Sequence, residues 1–530
     1  MRTDQFLLGY IPTKNARLFR DKTAIVFKDR RFTFRQVADR CNRLANGLRD
    51  LGVSPGEKVA VLLSNCSEYV ELYFAIPKIG ATIVPLNTRF IAKELLHVLR
   101  DSEAETLVLG STYVDTFRSL ASQLKGIKRL VCLDAGPKDM TAYETLIKEG
   151  STKEPDVAID EEDVAFLMYT GGTTGMPKGV MLSHRSMMSS NMTFVMTKAL
   201  CSWKSLADGV VLITTPIYHI GSMGGTLMPS FYAGATCIIM ERFDPLVALE
   251  TIERERVTYL PLYPVMFRAV MDLQEERKHD ISSLEIVAYG SAPLSPEILK
   301  RAIKVFGCDF HQGFGQTECS ACYVSFLGPE DHRIEEFPHL VERLSSVGRE
   351  SLNAVVGIVN DKDQEVPPGE VGEIVVRGPH LMKGYWRMPE LTAETMRGGW
   401  LHTGDMGRMD KEGYIYLVDR RKDMIISGSY NIFPKEIETV LLEHPAIQKA
   451  AVIGVPHEKW GETVKAICTL KEGAKVTEEE VIAFCRENMA SFKKPTSVEF
   501  VKELPMTSLG KLNKVALREK YWKGHERRIH

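Results

Sequence analysis

Long apolar runs are missing from this chain. No stretch reaches the roughly 18 residues that a membrane-crossing helix needs. The opening segment MRTDQFLLGYIPTKNARLFR holds only the short run Phe6–Leu8. That is too short for the apolar heart of a secretory leader, so the expectation is a cytoplasmic protein. An excess of one charge is also missing: Lys plus Arg number 67 and Asp plus Glu 69. Such a balance argues against nucleic acid or an anionic membrane as partner. Cysteine is sparse, ten in 530 residues, which excludes a disulfide framework. One pair, Cys319 and Cys322 in CSAC, has redox or metal spacing, but zinc needs four ligands and no second pair or close histidine set accompanies it. Internal repeats, low-complexity tracts and heptads are absent. The basic residues after Trp522 (Lys523, Arg527, Arg528) read as a solvated terminus.

What is present is alternation. The chain is too long for one core, so two or more domains are expected. Through about residue 340, short β-branched runs (TAIVF, KVAVLL, ATIVPL, TLVLG, RLVCL, then VVLITTP, ATCIIM, VTYLPL, LEIVAYG) alternate with helical patterns. In RQVADRCNRLANGLRDLG, Val37, Cys41, Leu44 and Leu48 share one helix face and Gly52 marks its end. This pattern predicts an α/β fold, with mainly parallel sheets flanked by helices, and more strands than one sheet readily holds. After about Ser345 the texture changes to period-two alternation around a Pro-Pro-Gly turn, which predicts a distorted antiparallel β region. Beyond the charged run DRRKD, Asp419–Asp423, the segments PKEIETVLLEHPAI, KAAVIGVP, VKAICTL and EEEVIAFCRENM predict a small α+β domain. The boundary is placed inside that run, giving domains 1–420 and 421–530.

Four segments carry chemistry. The first, YTGGTTGMPKGVMLSH, places Thr170, Gly171, Gly172, Thr173, Thr174, Gly175 and Lys178 in one loop. It is no Walker loop, because Pro177 and Gly179 flank the lysine and the following GVMLSH is extended, not helical. Extended VAFLMYT precedes it, so the loop reads as a hairpin connection. Its glycines allow close backbone approach, and its hydroxyls and ammonium can form a phosphate-gripping nest. A plain turn would not need so many donors. The second is HQGFGQTEC, with Gly313, Phe314, Gly315, Gln316, Thr317 and Glu318. Phe314 can lie against a base, Thr317 can donate to phosphate and Glu318 can hold Mg²⁺; a strand end followed by a helix capped by Thr317 is the plainer alternative. In the third, HTGD…YIYLVDRRKD, Asp405 suits two vicinal hydroxyls and Arg420 could add a charged bond. The fourth, LPMTSLGKLNK, sets Lys511 after Gly510 in a loop.

Together, in this order, these segments resemble the adenylate-forming superfamily, the AMP-binding group of acyl-CoA synthetases, fatty-acid–CoA ligases, peptide-synthetase adenylation domains and beetle luciferases. The resemblance covers nearly the whole chain. It implies that ATP and a carboxylic acid form an acyl-adenylate and pyrophosphate, with coenzyme A as acyl acceptor and Mg²⁺ as the metal. It also implies roles for residues. The glycine-threonine loop would grip the β- and γ-phosphates; Glu318 would be catalytic and bind Mg²⁺; Gly290, Ser291 and Ala292 in YGSAPL would border adenine with Phe314. Asp405 and Arg420 would hold the ribose, and Lys511 would bridge the acid and the α-phosphate. A mobile small C-terminal domain would swing about Lys422, and Gly428 would line the pantetheine channel. In PIYHIGSMGGTLMPSFYAG, His219 would stand at the bound carboxylate as a catalytic and substrate residue, with Gly221, Ser222, Gly224 and Gly225 making room for the acid.

Two departures stand out: Gly171 where the family commonly has Ser, and GSY at Gly428–Tyr430 where many relatives have Gly-Gly-Glu. No obvious Asp in the acid segment pairs with an ammonium, which disfavours an amino acid. The expected substrate is a fatty or alicyclic acid, with aryl acids next. A carrier-protein-loading enzyme, a P-loop kinase or ATPase making ADP, and a non-catalytic nucleotide module are the alternatives. Self-association as a homodimer stays open.

Overall fold

The computed structural model describes residues 6–134, 137–170, 176–200, 206–290, 294, 296–321, 323–420, 423–427, 430–458, 460–491, 493–506 and 512–523. Its packing divides into two units. The first includes Met1–Thr170, Pro177–Val356 and Val376–Leu401; the second is built from Gly357–Val375 and His402–His530.

The first unit contains two sheets. One has nine strands. Six run parallel in the spatial order Asp309–Phe314, Ile286–Gly290, Tyr259–Leu262, Val210–Ile213, Thr236–Ile239, Thr23–Phe27. Ser325–Leu327 and Arg349–Glu350 extend one edge, and Arg30–Thr33 closes the other. Strands such as Thr236–Ile239 and Tyr259–Leu262 are buried along their whole length, as expected where helices cover both faces. The crossover helices Pro245–Glu255, Pro264–Arg277 and Pro296–Phe306 each begin on proline, whose fixed φ suits a first helical position and whose missing N–H is no loss there.

The second sheet has eight strands. Its parallel part runs Thr82–Pro85, Lys58–Leu62, Thr106–Leu109, Arg129–Cys132, Thr141–Ala142. Val164–Thr170 joins it in parallel, and Lys178–Ser183 then Gly384–Tyr385 follow antiparallel. The helix Phe34–Asp50 buries Val37, Cys41, Leu44 and Leu48 completely. It starts on a reciprocal Thr33–Gln36 cap and ends before Gly52, whose φ is +97°.

A four-stranded sheet orders Val355–Val359, Gly372–Arg377, Leu401–Met409 and Ile415–Arg420, the last two antiparallel. The C-terminal residues form the expected α+β layer. Gly461–Leu470 sits between Ile447–His457 and Ser497–Phe500, with Ile425–Ser427 and Tyr430–Ile432 beyond. The helices Pro434–Glu443 and Glu478–Asn488 supply Ile437, Leu441, Val481 and Cys485 to its core. Among the described residues no helix is long and apolar enough to cross a membrane.

Candidate active site

The first segment is a hairpin connection. Val164–Thr170 and Lys178–Ser183 pair antiparallel with Thr170 opposite Lys178 and Tyr169 opposite Gly179. Gly171, Gly172, Thr173, Thr174 and Gly175 lie outside the described residues. The base of the loop is anchored on both sides. The Tyr169 hydroxyl donates to Asp101 at 2.6 Å, and His97 Nε2 lies 3.0 Å from the Pro177 carbonyl. Gly179 must stay small: a Cβ there would come within 2.9–3.3 Å of Leu167, Tyr169 and Trp386.

Lys178 and Glu318 are brought together by a residue the sequence analysis did not single out. The short strand Gly384–Tyr385 adds to the outer edge of the hairpin, Tyr385 opposite Val180. The Lys178 ammonium lies 5.9 Å from the centre of the Tyr385 ring, and the Tyr385 hydroxyl donates to Glu318 Oε1 at 2.8 Å. Burial, then the Glu318 charge, push the Tyr385 phenol up, so it stays a neutral donor. The Met382 N–H also donates to the Glu318 carbonyl at 2.9 Å. The only sequence signal was the aromatic pair in GYW, which two residues of strand make easy to overlook.

Glu318 follows the strand Asp309–Phe314, in a single 3-10 turn Thr317–Cys319. Thr317 opens that turn and does not cap it; Gln316 holds the cap position with no side-chain bond. Phe314, Gln316, Thr317 and Glu318 are half-buried and Gly315 is exposed. Gly290 and Gly313 are partners at the carboxyl ends of adjacent parallel strands, where open α/β sheets bind ligands. Neither tolerates a side chain: a Cβ on Gly290 would lie 2.6 Å from the Gly313 carbonyl oxygen, and one on Gly313 would run into the Tyr323 ring. Ser291 and Ala292 lie outside the described residues. Among the described residues no group of three or more His, Cys, Asp or Glu could hold a metal. A lone half-buried carboxylate such as Glu318 suits Mg²⁺ held mainly by phosphate oxygens and water.

In the second unit Asp405 and Arg420 face one another across neighbouring strands, and Arg420 Nε lies 2.5 Å from Asp405 Oδ1. Asp405 is buried, Arg420 half-exposed. The turn before Asp405 is braced by Glu373, which accepts from the Gly404 N–H at 3.0 Å and lies 3.1 Å from His402 Nδ1. Gly404 has φ +70°, a conformation that favours glycine. Glu373 is another support the sequence did not announce. Lys422, Gly428 and Lys511 lie outside the described residues. The helix Lys514–Trp522 is tied to the helix Pro434–Glu443 by Lys514 to Glu438 at 2.7 Å, and Arg518 pairs with Asp423 just before the strand Ile425–Ser427. Asp419 accepts the Lys435 N–H at 2.7 Å, and its burial raises its carboxyl above the usual range.

The acid segment is one continuous helical stretch, Ile220–Ser222, Met223–Leu227 and Met228–Tyr232, whose middle five residues form a π turn. Such turns occur often at functional sites. His219 caps the stretch, half-buried, its ring edge-on to Tyr218 at 4.6 Å. Gly221 is half-buried. The Ser222 hydroxyl is engaged with Thr215, accepting from its Oγ1 at 2.8 Å. Gly224 is closely packed, whereas a Cβ on Gly225 would find its nearest neighbour, Ala321, at an ordinary 3.8 Å. The Tyr323 hydroxyl donates to the Gly225 carbonyl at 3.4 Å.

Comparison with known proteins supplies the family. The AMP-binding enzyme model matches residues 13–386, and the AMP-binding enzyme C-terminal domain matches residues 436–511. A feruloyl-CoA synthase of Amycolatopsis sp is 37% identical over 97% of this chain and 99% of its own. A long-chain-fatty-acid–CoA ligase of Bacillus subtilis (strain 168) is 34% identical over 98% and 95%. Among solved structures, an anthranilate CoA ligase in complex with anthranoyl-AMP superposes with a TM-score of 0.85 at 29% identity, covering 97% of each chain. The fold and the ordered motifs define an adenylate-forming ligase of the CoA-synthetase type. The chain belongs to the AMP-binding enzyme family, as an ATP-dependent, AMP-forming acid–thiol ligase.

Proposed function

We propose that this enzyme activates a bulky, ring-bearing carboxylic acid, alicyclic or aryl, and passes it to coenzyme A. The carrying observation is the wall beside Gly225. Half-buried Tyr323 and Phe326 stack with centroids 5.9 Å apart, backed by the buried rings of Phe194 and Tyr259, a surface suited to offset or edge contacts with another ring. The feruloyl and anthranilate relatives favour the same reading. The fatty-acid ligase relative, and the small residues at Gly221 and Gly225, favour a straight fatty acid as the second reading.

In the proposed reaction a carboxylate oxygen attacks the α-phosphorus of ATP and the bond to pyrophosphate breaks. The thiol of coenzyme A then attacks the acyl carbon, AMP leaves, and the thiol proton passes to solvent. The carboxylate is a poor nucleophile and the triphosphate densely anionic, so catalysis rests on positioning and on charge placed beforehand. Thr170, Lys178 and the loop between them would hold the leaving phosphates. Glu318, oriented by Tyr385, would ligate Mg²⁺, which neutralises phosphate charge when bound. Gly290 and Phe314 would border adenine. Arg420 would orient Asp405 toward the ribose hydroxyls, His219 would stand at the acid carboxylate, and Lys511 would supply the cation at the α-phosphate. Lys422 would be the hinge between domains 1–420 and 421–530, with Gly428 on the thiol side, and the compartment would be the cytoplasm.

The test is a panel of ring-bearing and straight-chain acids scored by pyrophosphate release, with AMP and ADP resolved and coenzyme A present or omitted. Release of AMP with ring-bearing acids, and thioester only with coenzyme A, supports the reading. Preference for straight-chain acids overturns the substrate; ADP, or turnover indifferent to coenzyme A, overturns the reaction.

A further inference from the structure

The turn that carries Asp405 is held by a carboxylate to which the proposed reaction gives no role. Glu373 belongs to the strand Gly372–Arg377, and Asp405 to its neighbour Leu401–Met409. Glu373 is buried, with 6% exposure. One of its oxygens accepts the Gly404 N–H at 3.0 Å; the other lies 3.1 Å from His402 Nδ1. A carboxylate oxygen only accepts, so the His402 ring donates to it from Nδ1. Thr403, between those two partners, is fixed to the same strand. Its hydroxyl donates to the Ile374 carbonyl at 2.6 Å and accepts the Asp405 N–H at 3.1 Å. Residues 402–405 are thereby tied to Gly372–Arg377 at two adjacent residues, Glu373 and Ile374.

Support alone would not call for a charge. A main-chain carbonyl could take the Gly404 N–H, and a buried carboxylate is costly unless its partners are well aligned. The charge adds stiffness at one point, because hydrogen bonds to an ionised acceptor are shorter and about twice as strong as neutral ones. At that point the chain leaves the regular strand pattern. Gly404 has φ +70°, and the register against Ile415–Arg420 shifts between Met406 and Gly407. A left-handed glycine close to a register shift is the pattern of a bulge, which re-aims the side chain beside it. On its other side the Asp405 carboxylate meets the Arg420 guanidinium. Arg420 fixes the head of that side chain, and Glu373 fixes its root. Two vicinal hydroxyls are met together only by a carboxylate that arrives at one angle; a relaxed turn would still serve one of them.

We infer that Glu373 is a positioning residue for ribose. Through the Gly404 turn it aims Asp405 at both vicinal hydroxyls, and so makes the enzyme select ATP over a deoxynucleotide. This rests on the reading of Asp405 as the ribose ligand and extends it to a group that does not itself touch the nucleotide.

The experiment measures Kd for ATP and for 2′-deoxy-ATP by titration calorimetry on the full-length enzyme, with Mg²⁺ and without any acid. The wild-type enzyme should bind ATP more tightly by about 10- to 100-fold, the worth of one hydrogen bond to a charged group. Asp405→Ala should remove most of that preference. Glu373→Ala should cut the ratio by about tenfold, weakening ATP while leaving 2′-deoxy-ATP nearly as before. Glu373→Gln, which keeps an oxygen for the Gly404 N–H, should restore part of it. A merely structural carboxylate would weaken both nucleotides alike and leave the ratio in place. That result, where Asp405→Ala has removed the preference, overturns the inference while the ribose reading stands. An unchanged ratio in Asp405→Ala, or equal binding of the two nucleotides by the wild-type enzyme, overturns the ribose reading and this inference with it. If Glu373→Ala does not fold, Gly404→Ala is read in the same way: its methyl group meets nothing within 4 Å, so it acts only through the left-handed backbone.

Discussion

One strand, Asp309–Phe314, joins two regions of opposite character. At its inner part His311 is enclosed with Lys198, Tyr259 and Phe194, essentially without exposure. At its tip Gly313 and Phe314 are half-buried, and Glu318 in the next turn accepts from Tyr385, on the strand beside the Lys178 hairpin. On the proposed reading the tip handles charge that arrives with nucleotide and must leave again, and its groups stay within reach of water. The inner cluster is closed to water, and one mismatched polar atom there costs more than in water. On that reading the tip sets the reaction, whichever acid is bound, and the inner cluster holds the strand that carries it.

Several perturbations would break or sharpen that division. The largest belongs to Lys511. Lys511→Ala should slow adenylation, followed by ATP–pyrophosphate exchange, by about 10²–10³-fold, the usual loss for one preorganised charge donor. The loss should be the same with every acid, and thioester formation from supplied acyl-adenylate should suffer far less. Next is Arg420→Ala. Its guanidinium holds Asp405 but is half-exposed, so solvent weakens the pair, and KM for ATP should rise about tenfold with acid preference unchanged. Steady-state kinetics at varied ATP would check this.

The smallest effect concerns three buried histidines outside the strands. His184, His332 and His380 are buried and each is lowered to about 4, desolvation being the first cause. His332 is held neutral between the Gly328 carbonyl and the Tyr289 hydroxyl. The unfolded chain binds protons at these histidines near pH 6.5, before the folded one does. Their contribution to stability is therefore full above about pH 6.5 and declines as pH falls toward about 4. The melting temperature should drop by several degrees across that window, and calorimetry at stepped pH would show it. A flat profile would mean that these rings take up protons while folded.

How much of this was legible in the sequence follows the same division. The two parallel sheets were readable because their strands are continuous apolar runs, and the hairpin because extended segments bracket its glycines. The motifs proposed to hold nucleotide stood out because phosphate, ribose and Mg²⁺ demand particular groups at short spacing. The supports were not: Tyr385 and Glu373 act from other strands, and each looks ordinary in its own neighbourhood. The π turn at Met223–Leu227 left no mark in a run of small residues. Lys198 was hidden for a different reason. A lysine near the end of a helix reads as a solvated side chain, and its burial is decided by the strand bearing His311, far away in sequence.

The most direct measurement of the division is Tyr385→Phe assayed with two unlike acids, one ring-bearing and one straight-chain. The variant removes the hydroxyl that steadies Glu318 and touches nothing in the inner cluster. The account predicts that kcat/KM for adenylation falls by about tenfold, the worth of one hydrogen bond to a charged group, by the same factor for both acids. A loss confined to one acid, or one that reverses their order, would contradict it.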